Sequence, residues 1–287
     1  MAEVTDRDRG QLLLVAGIVL AVLFVALALL VNTAIYTDNV ATRDGDAASE
    51  PLAYQEGAVS VASGLIEAEN EDGDDFGTIE SNVRDGFEES LSMLEQRHLQ
   101  RAATTETGTS GFTEGRHIQQ SDGIDNWGVS GADGVRAFSM TLERGSMDSI
   151  DIDDEDDPDP FNIDLGDGEL EVYLDAENDD DLTVSVDGEV RCRVDASGDV
   201  SFDVTDERLD GKPCPLGLSS DLDDDFVGFD NADTVDGEYE LIVATTSEPA
   251  APEVSEVLYS VVLDVGIHSP DRSYESRVTV APGEFDD

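Results

Sequence analysis

Residues 182–194 read LTVSVDGEVRCRV. Leu182, Val184 and Val186 alternate with polar neighbours, Asp187-Gly188 interrupts, and Val190, Cys192 and Val194 resume the alternation. A half-buried strand has this period of two, because successive side chains leave opposite faces. Asp-Gly between two such runs marks a two-residue hairpin turn, whose central residues take positive φ. The stretch therefore predicts antiparallel strands at Leu182–Val186 and Glu189–Val194.

Working outward, the same alternation predicts strands at Val135–Arg144, Glu169–Leu174, Val200–Val204, Tyr239–Thr245, Val257–Val265 and Tyr274–Val280, with Ser197-Gly198 as another turn. Eight short strands with Gly and Asp turns point to an antiparallel, sandwich-like domain over residues 116–282, followed by a tail at 283–287. No internal repeat is evident, which disfavours a solenoid or propeller. Before residue 116 the period is helical. Ala58, Val59, Ala62, Leu65 and Ile66 form a stripe within Leu52–Glu69, and Ile79, Val83, Phe87, Leu91, Leu94 and His98 form one within Ile79–Arg101, with Thr78 as N-cap. These make a helical segment at 51–103 that can lie as a hairpin on one face of a sheet. Thr104–Gly115, small, polar and Gly-rich, reads as a linker.

The first 50 residues add a third element. Leu12–Val31 is an apolar run with eight Leu, five Val and four Ala, and at about 1.5 Å per residue it spans the roughly 30 Å of a bilayer core. It predicts a transmembrane helix at 12–31, with residues 1–11 before it and a helical stalk at 32–50 after it. The competing readings are a buried core helix and a cleaved secretory signal, whose apolar region is ordinarily about 7–15 residues. Arg7 and Arg9 flank the start of the run against Arg43 beyond its end, so the N-terminus is expected in the cytoplasm and the rest outside the cell. The expected class is α+β: an N-terminal transmembrane helix and stalk, then an antiparallel β-rich extracellular head.

Charge sets further bounds. The 68 Asp and Glu against 15 Lys and Arg give a net charge of -53, a field that repels phosphate and excludes nucleic acid as a partner. Asp outnumbers Glu and Lys212 is the single lysine, a composition that resembles haloarchaeal proteins. In molar salt the Debye length falls to about 3 Å, which screens most of the self-repulsion.

Asp8-Arg9-Gly10-Gln11-Leu12-Leu13-Leu14 resembles the class III signal of archaeal type IV pilins. The resemblance implies cleavage between Gly10 and Gln11, with Arg9 and Gly10 directing it, and lateral packing of the apolar helix against other subunits. Val15 departs from the pattern, because many pilins carry Glu at the fifth position after the cut. The opening RGQLLLVAG also resembles uncharacterised haloarchaeal membrane proteins.

Few residues suggest chemistry. Cys192 and Cys214 read either as a disulfide in an oxidising compartment or as two unpaired thiols. Asp151, Asp153 and Asp156 lie in a run of carboxylates offering oxygen ligands to a hard cation, with solvated acidic loops as the alternative, here and at Asp221–Asp225. His98, His117 and His268 are dispersed, Ser130 lacks a G-x-S-x-G setting, and Gly211-Lys212 precedes Pro213 without a phosphate-binding loop. No cofactor is implied. The expectation is a non-enzymatic, single-pass envelope protein, pilin-like, with the lipid bilayer and other pilin-like subunits as partners. The alternative is a membrane-tethered extracellular binding or sensor module. Transfer from molar salt to dilute buffer is expected to unfold the head, seen as loss of strand circular dichroism, whereas a folded head in about 50 mM salt contradicts the screening argument.

Overall fold

The computed structural model describes residues 51–283 apart from 74, 100–103, 153, 155, 167, 179–180, 196, 219–225, 252 and 270–271. The chain divides into Met1–Glu56 and Gly57–Asp287. Of the first unit only helical residues 51–56 are described; both sheets belong to the second.

Two antiparallel sheets form the body. Sheet A has eight strands in the order β11 (Lys212–Pro213), β10 (Arg208–Leu209), β9 (Val200–Asp203), β3 (Gly134–Leu142), β13 (Gly237–Ala244), β1 (Thr104–Gln120), β14 (Glu253–Ser269) and β15 (Arg272–Val280). Sheet B runs β2 (Trp127–Ser130), β12 (Phe226–Asp230), β5 (Phe161–Asp164), β6 (Glu169–Asp175), β7 (Asp181–Val186) and β8 (Glu189–Val194), with β4 (Ser149–Ile150) added parallel to β6. Ile118, Phe138, Met140, Leu142, Leu241 and Val243 of sheet A share one buried cluster with Phe161, Leu170, Val172, Leu182, Val184 and Phe229 of sheet B. This is a sandwich core. At its centre Phe229 lies 5.0 Å from Trp127, 5.4 Å from Phe161 and 4.8 Å from Tyr239 between ring centroids. Those separations and tilts suit the quadrupoles of aromatic rings.

The hairpin expected at Asp187-Gly188 is present. These two residues join β7 to β8 with φ of 52° and 76°, the left-handed pair that a tight hairpin needs.

Helix α2 (Phe76–Leu99) covers part of sheet A, and residues 57–72 of α1 (residues 51–72) lie beside it. Ala58, Ala62 and Ile66 of α1 and Ile79, Val83, Phe87 and Leu91 of α2 are buried, and α2 lies against β1 and β14. The two helices approach closely at Gly86, where a Cβ would come within 3.0 Å of Leu65. Asp75 caps α2 in place of the expected Thr78: its carboxylate accepts from the Thr78 amide at 3.3 Å and the Thr78 hydroxyl at 2.9 Å, which holds its pKa below the ordinary value.

A bulge joins the helices to the sheet. Glu114 pairs with Leu258 and Thr113 with Ser260, leaving Tyr259 as the extra residue on β14. Asn70 of α1 accepts from the Leu258 N–H at 2.9 Å and donates to its carbonyl at 3.0 Å. Arg136 of β3, 2% exposed, donates to the carbonyls of Leu258, at 3.1 Å, and Tyr259, and its guanidinium lies 5.2 Å from the Tyr259 ring centroid.

Two expectations need correction. Thr104–Gly115 is the first part of the 17-residue β1, so the sheet begins at Thr104. Gly115 serves close packing, since a Cβ there would come within 2.8 Å of the Val243 carbonyl. The α+β class with a transmembrane helix is also overturned. Strand makes up 49% of the structure against two helices, and no helix among the described residues is long and apolar enough to cross a membrane. The described helices are apolar along one stripe, which suits covering a sheet and not facing lipid all round. The expected helix at 12–31 and stalk at 32–50 lie outside the described residues. The single-pass membrane description therefore has no helix to carry it among those described, and the fold is a mainly antiparallel sandwich with a helical pair on one sheet.

Replacing Phe229, 1% exposed, with Ala removes the ring shared by four aromatic contacts. It is expected to cost about 3–5 kcal/mol, measured by denaturant unfolding in high salt.

Candidate functional site

Cys192 lies on β8, the edge of sheet B, and Cys214 follows β11, the edge of sheet A. A disulfide joins them, with Cα atoms 5.2 Å apart and a sequence separation of 22. It closes one open side of the sandwich. Cys214 is fully buried, and its amide donates to the Glu207 carbonyl at 2.7 Å. Strands β9 to β11 are short, and Phe202 and Leu209 anchor β9 and β10 in the core. By chain entropy a loop of this length is worth about 3 kcal/mol. Beside it, Arg193 of β8 meets the mostly buried Asp175 at 2.9 Å.

The outer face of sheet A carries a second feature. Register places Ser139, Glu240, Gln119 and Glu253 in one row across β3, β13, β1 and β14, and Arg136, Ile242, His117 and Ser255 in the neighbouring offset row. Ser139, Glu240, Gln119 and Glu253 of the first row, with Glu238 and Thr141, border a trough of about 300 Å³. Its lining is rich in hydrogen-bond acceptors. His117 Nε2 is 3.8 Å from Glu240. Burial pushes the imidazole pKa below 6.5, and the opposing pull of Glu240 is the smaller effect. The Ser139 hydroxyl reaches Glu240 only at 3.5 Å. The trough thus offers recognition groups, and among the residues that line it no hydroxyl is poised on a histidine.

Arg9, Gly10 and Gln11 lie outside the described residues, as do Asp153 and the acidic run at 221–225. Asp151 and Asp156 lie on the loop after β4. The Asp151 amide donates to the Asp157 carboxylate at 2.8 Å and the Asp156 amide to that of Asp154 at 3.0 Å, so the carboxylates of Asp157 and Asp154 are engaged in local turns. Among the described residues no group of three or more His, Cys, Asp or Glu is arranged to hold a metal ion. Gln119, Glu238, Glu240 and Glu253 were not singled out from sequence. In a chain with 68 carboxylates only strand register distinguishes them.

Residues 6–119 match a family of unknown function (DUF7261), a span shorter than half of the chain. No curated protein and no solved structure matches.

A histidine whose folded pKa is depressed contributes full stability above its unfolded value, near 6.5, and loses it as pH falls and the unfolded chain takes up the proton first. The stability difference between the wild type and His117→Asn is therefore expected to shrink or reverse as pH drops below about 6.5. Parallel unfolding curves in high salt at successive pH values measure it; a pH-independent difference contradicts the assignment.

Proposed function

We propose that the chain is a non-enzymatic protein of the cell envelope, its sandwich standing outside the cytoplasm in high salt as an assembly or recognition module. The observation that carries this reading is the Cys192–Cys214 disulfide between the two sheet edges. Such bonds persist in oxidising compartments and are rare where thiols are kept reduced. Support also comes from the acidic composition, which suits molar salt, and from the acceptor-lined trough, which suits binding.

The Arg9-Gly10-Gln11 junction gives the reading a more specific form. It resembles a prepilin processing site, so the mature chain begins at Gln11 and its apolar N-terminal segment packs against those of other pilin-like subunits.

Two measurements on the protein isolated from its native cells separate these levels. Cys192 and Cys214 are expected to resist alkylation until a reductant is added; two freely alkylated thiols overturn export to an oxidising compartment. N-terminal sequencing is expected to start at Gln11, and Gly10→Leu to leave the chain uncut. A start at Met1 or Ala2 overturns the pilin-like form alone.

A further inference from the structure

Among the described residues the two sheet orders end in four strands, and three of them are guarded. β11 is two residues long and contains Pro213, which has no N–H to offer. β2 has four residues. β8 pairs with β7 through a register shift, bears Arg191 and Arg193, and is tied back by the disulfide. β15 is different. Its nine residues pair with β14 without a register shift, it contains no proline, and among the described residues no strand pairs with its outer edge. Ser273, Glu275, Arg277 and Thr279 are exposed along it.

The sequence of this edge, RSYESRVTV over Arg272–Val280, is self-complementary. A two-fold axis perpendicular to a sheet keeps each side chain on its own face, so two copies can meet antiparallel only in registers centred on one residue. Centred on Ser276, Glu275 of each copy faces Arg277 of the other, Tyr274 faces Val278, and Ser273 faces Thr279. Opposite charges, an aromatic with a β-branched side chain, and paired hydroxyls are the cross-strand combinations that stabilise antiparallel pairs. Centring on Glu275 or Arg277 instead sets like charges directly opposite each other. Arg277 already accommodates the Asp264 carboxylate at 2.7 Å on its inner side, and the second copy places Glu275 on its outer side.

We propose that β15 is a homotypic docking edge, pairing with the β15 of a second copy about Ser276 to continue sheet A across a two-fold axis. This goes beyond the proposed function and depends neither on N-terminal processing nor on the disulfide.

The native cysteines are bonded to each other, so one introduced thiol is a clean probe in the full-length chain. In about 1 M salt, where the Debye length is about 3 Å, Ser276→Cys is expected to form a reducible dimer on mild oxidation, because facing Cβ atoms lie about 4.5–5.5 Å apart. Ser273→Cys is expected not to, since its two thiols lie about 20 Å apart along the strands. As a test independent of cysteine, Glu275→Arg alone and Arg277→Glu alone each set like charges opposite at both symmetry-related pairs. Each should weaken the dimer about tenfold in sedimentation analysis, and the double exchange should restore it. A wild-type chain that stays monomeric at all concentrations overturns the proposal. So do crosslinking of Ser273→Cys as readily as Ser276→Cys, and charge exchanges without effect on a dimer that does form.

Discussion

Sheet A has work to do on both faces, and the β1–β14 pair is where the two demands meet. Both strands are 17 residues long. One end of β1 pairs with β13, and its Ile118 joins the sandwich core, while the β14 side of the sheet carries the helical pair. A regular ladder of that length would twist away from one partner or the other. The bulge at Tyr259 bends it, and a bulge leaves backbone groups without ladder partners. An unpaired buried carbonyl or amide costs about 1–3 kcal/mol, so the fold depends on Asn70 and Arg136 reaching the Leu258 and Tyr259 backbone. Arg136 is one of very few cations in the chain, and it is placed in the interior. Its charge-assisted bonds to neutral carbonyls are stronger than neutral ones.

Charge then sorts the remaining surface. The residues facing the sandwich core from either sheet are apolar, and the carboxylates fall on the alternate positions that face outward. Alternation of period two does this without any special arrangement, because in β13 each Glu is followed by a residue directed to the core. Glu238 and Glu240 point out while Tyr239 and Leu241 point in. The same rule that closes the core therefore gathers acids into rows on the outer faces. Such rows are tolerable where salt limits repulsion to contact range.

How legible each element is in the sequence depends on the kind of signal it gives. The β7–β8 hairpin announces itself twice, by alternation and by a turn dipeptide whose required φ few other pairs supply. Helices α1 and α2 announce themselves by stripes spanning several turns. Strand β1 does neither. Its first half replaces apolar residues with Thr and Gly, because those positions meet neighbouring backbone, as at Gly115, or lie beside partner side chains, as at Gly111 next to Val262. Sequence alone reads such glycines as freedom, whereas here they are close approach. Strands β10 and β11, of two residues each, are too short to show any period. The trough around Glu240 was illegible for another reason: its members come from four strands and meet only through register. The Cys192–Cys214 distance likewise depends on two sheet edges that no local pattern relates.

The edges show how the sandwich divides its two sides. On one side a disulfide links β8 to the segment following β11, so the short strands there are held by a bond that does not depend on salt. On the other, among the described residues, β15 ends sheet A with no strand on its outer edge. Proteins ordinarily blunt an edge of that length, because a row of free amides and carbonyls pairs with whatever extended chain it meets. Strong net charge is a general deterrent at long range in dilute solution, but it is the deterrent that brine removes. What then decides pairing is the short-range pattern of the strand itself. On β15 that pattern alternates acid and base about a small central residue, so in molar salt pairing at this edge is selected by contact and not by the long-range field.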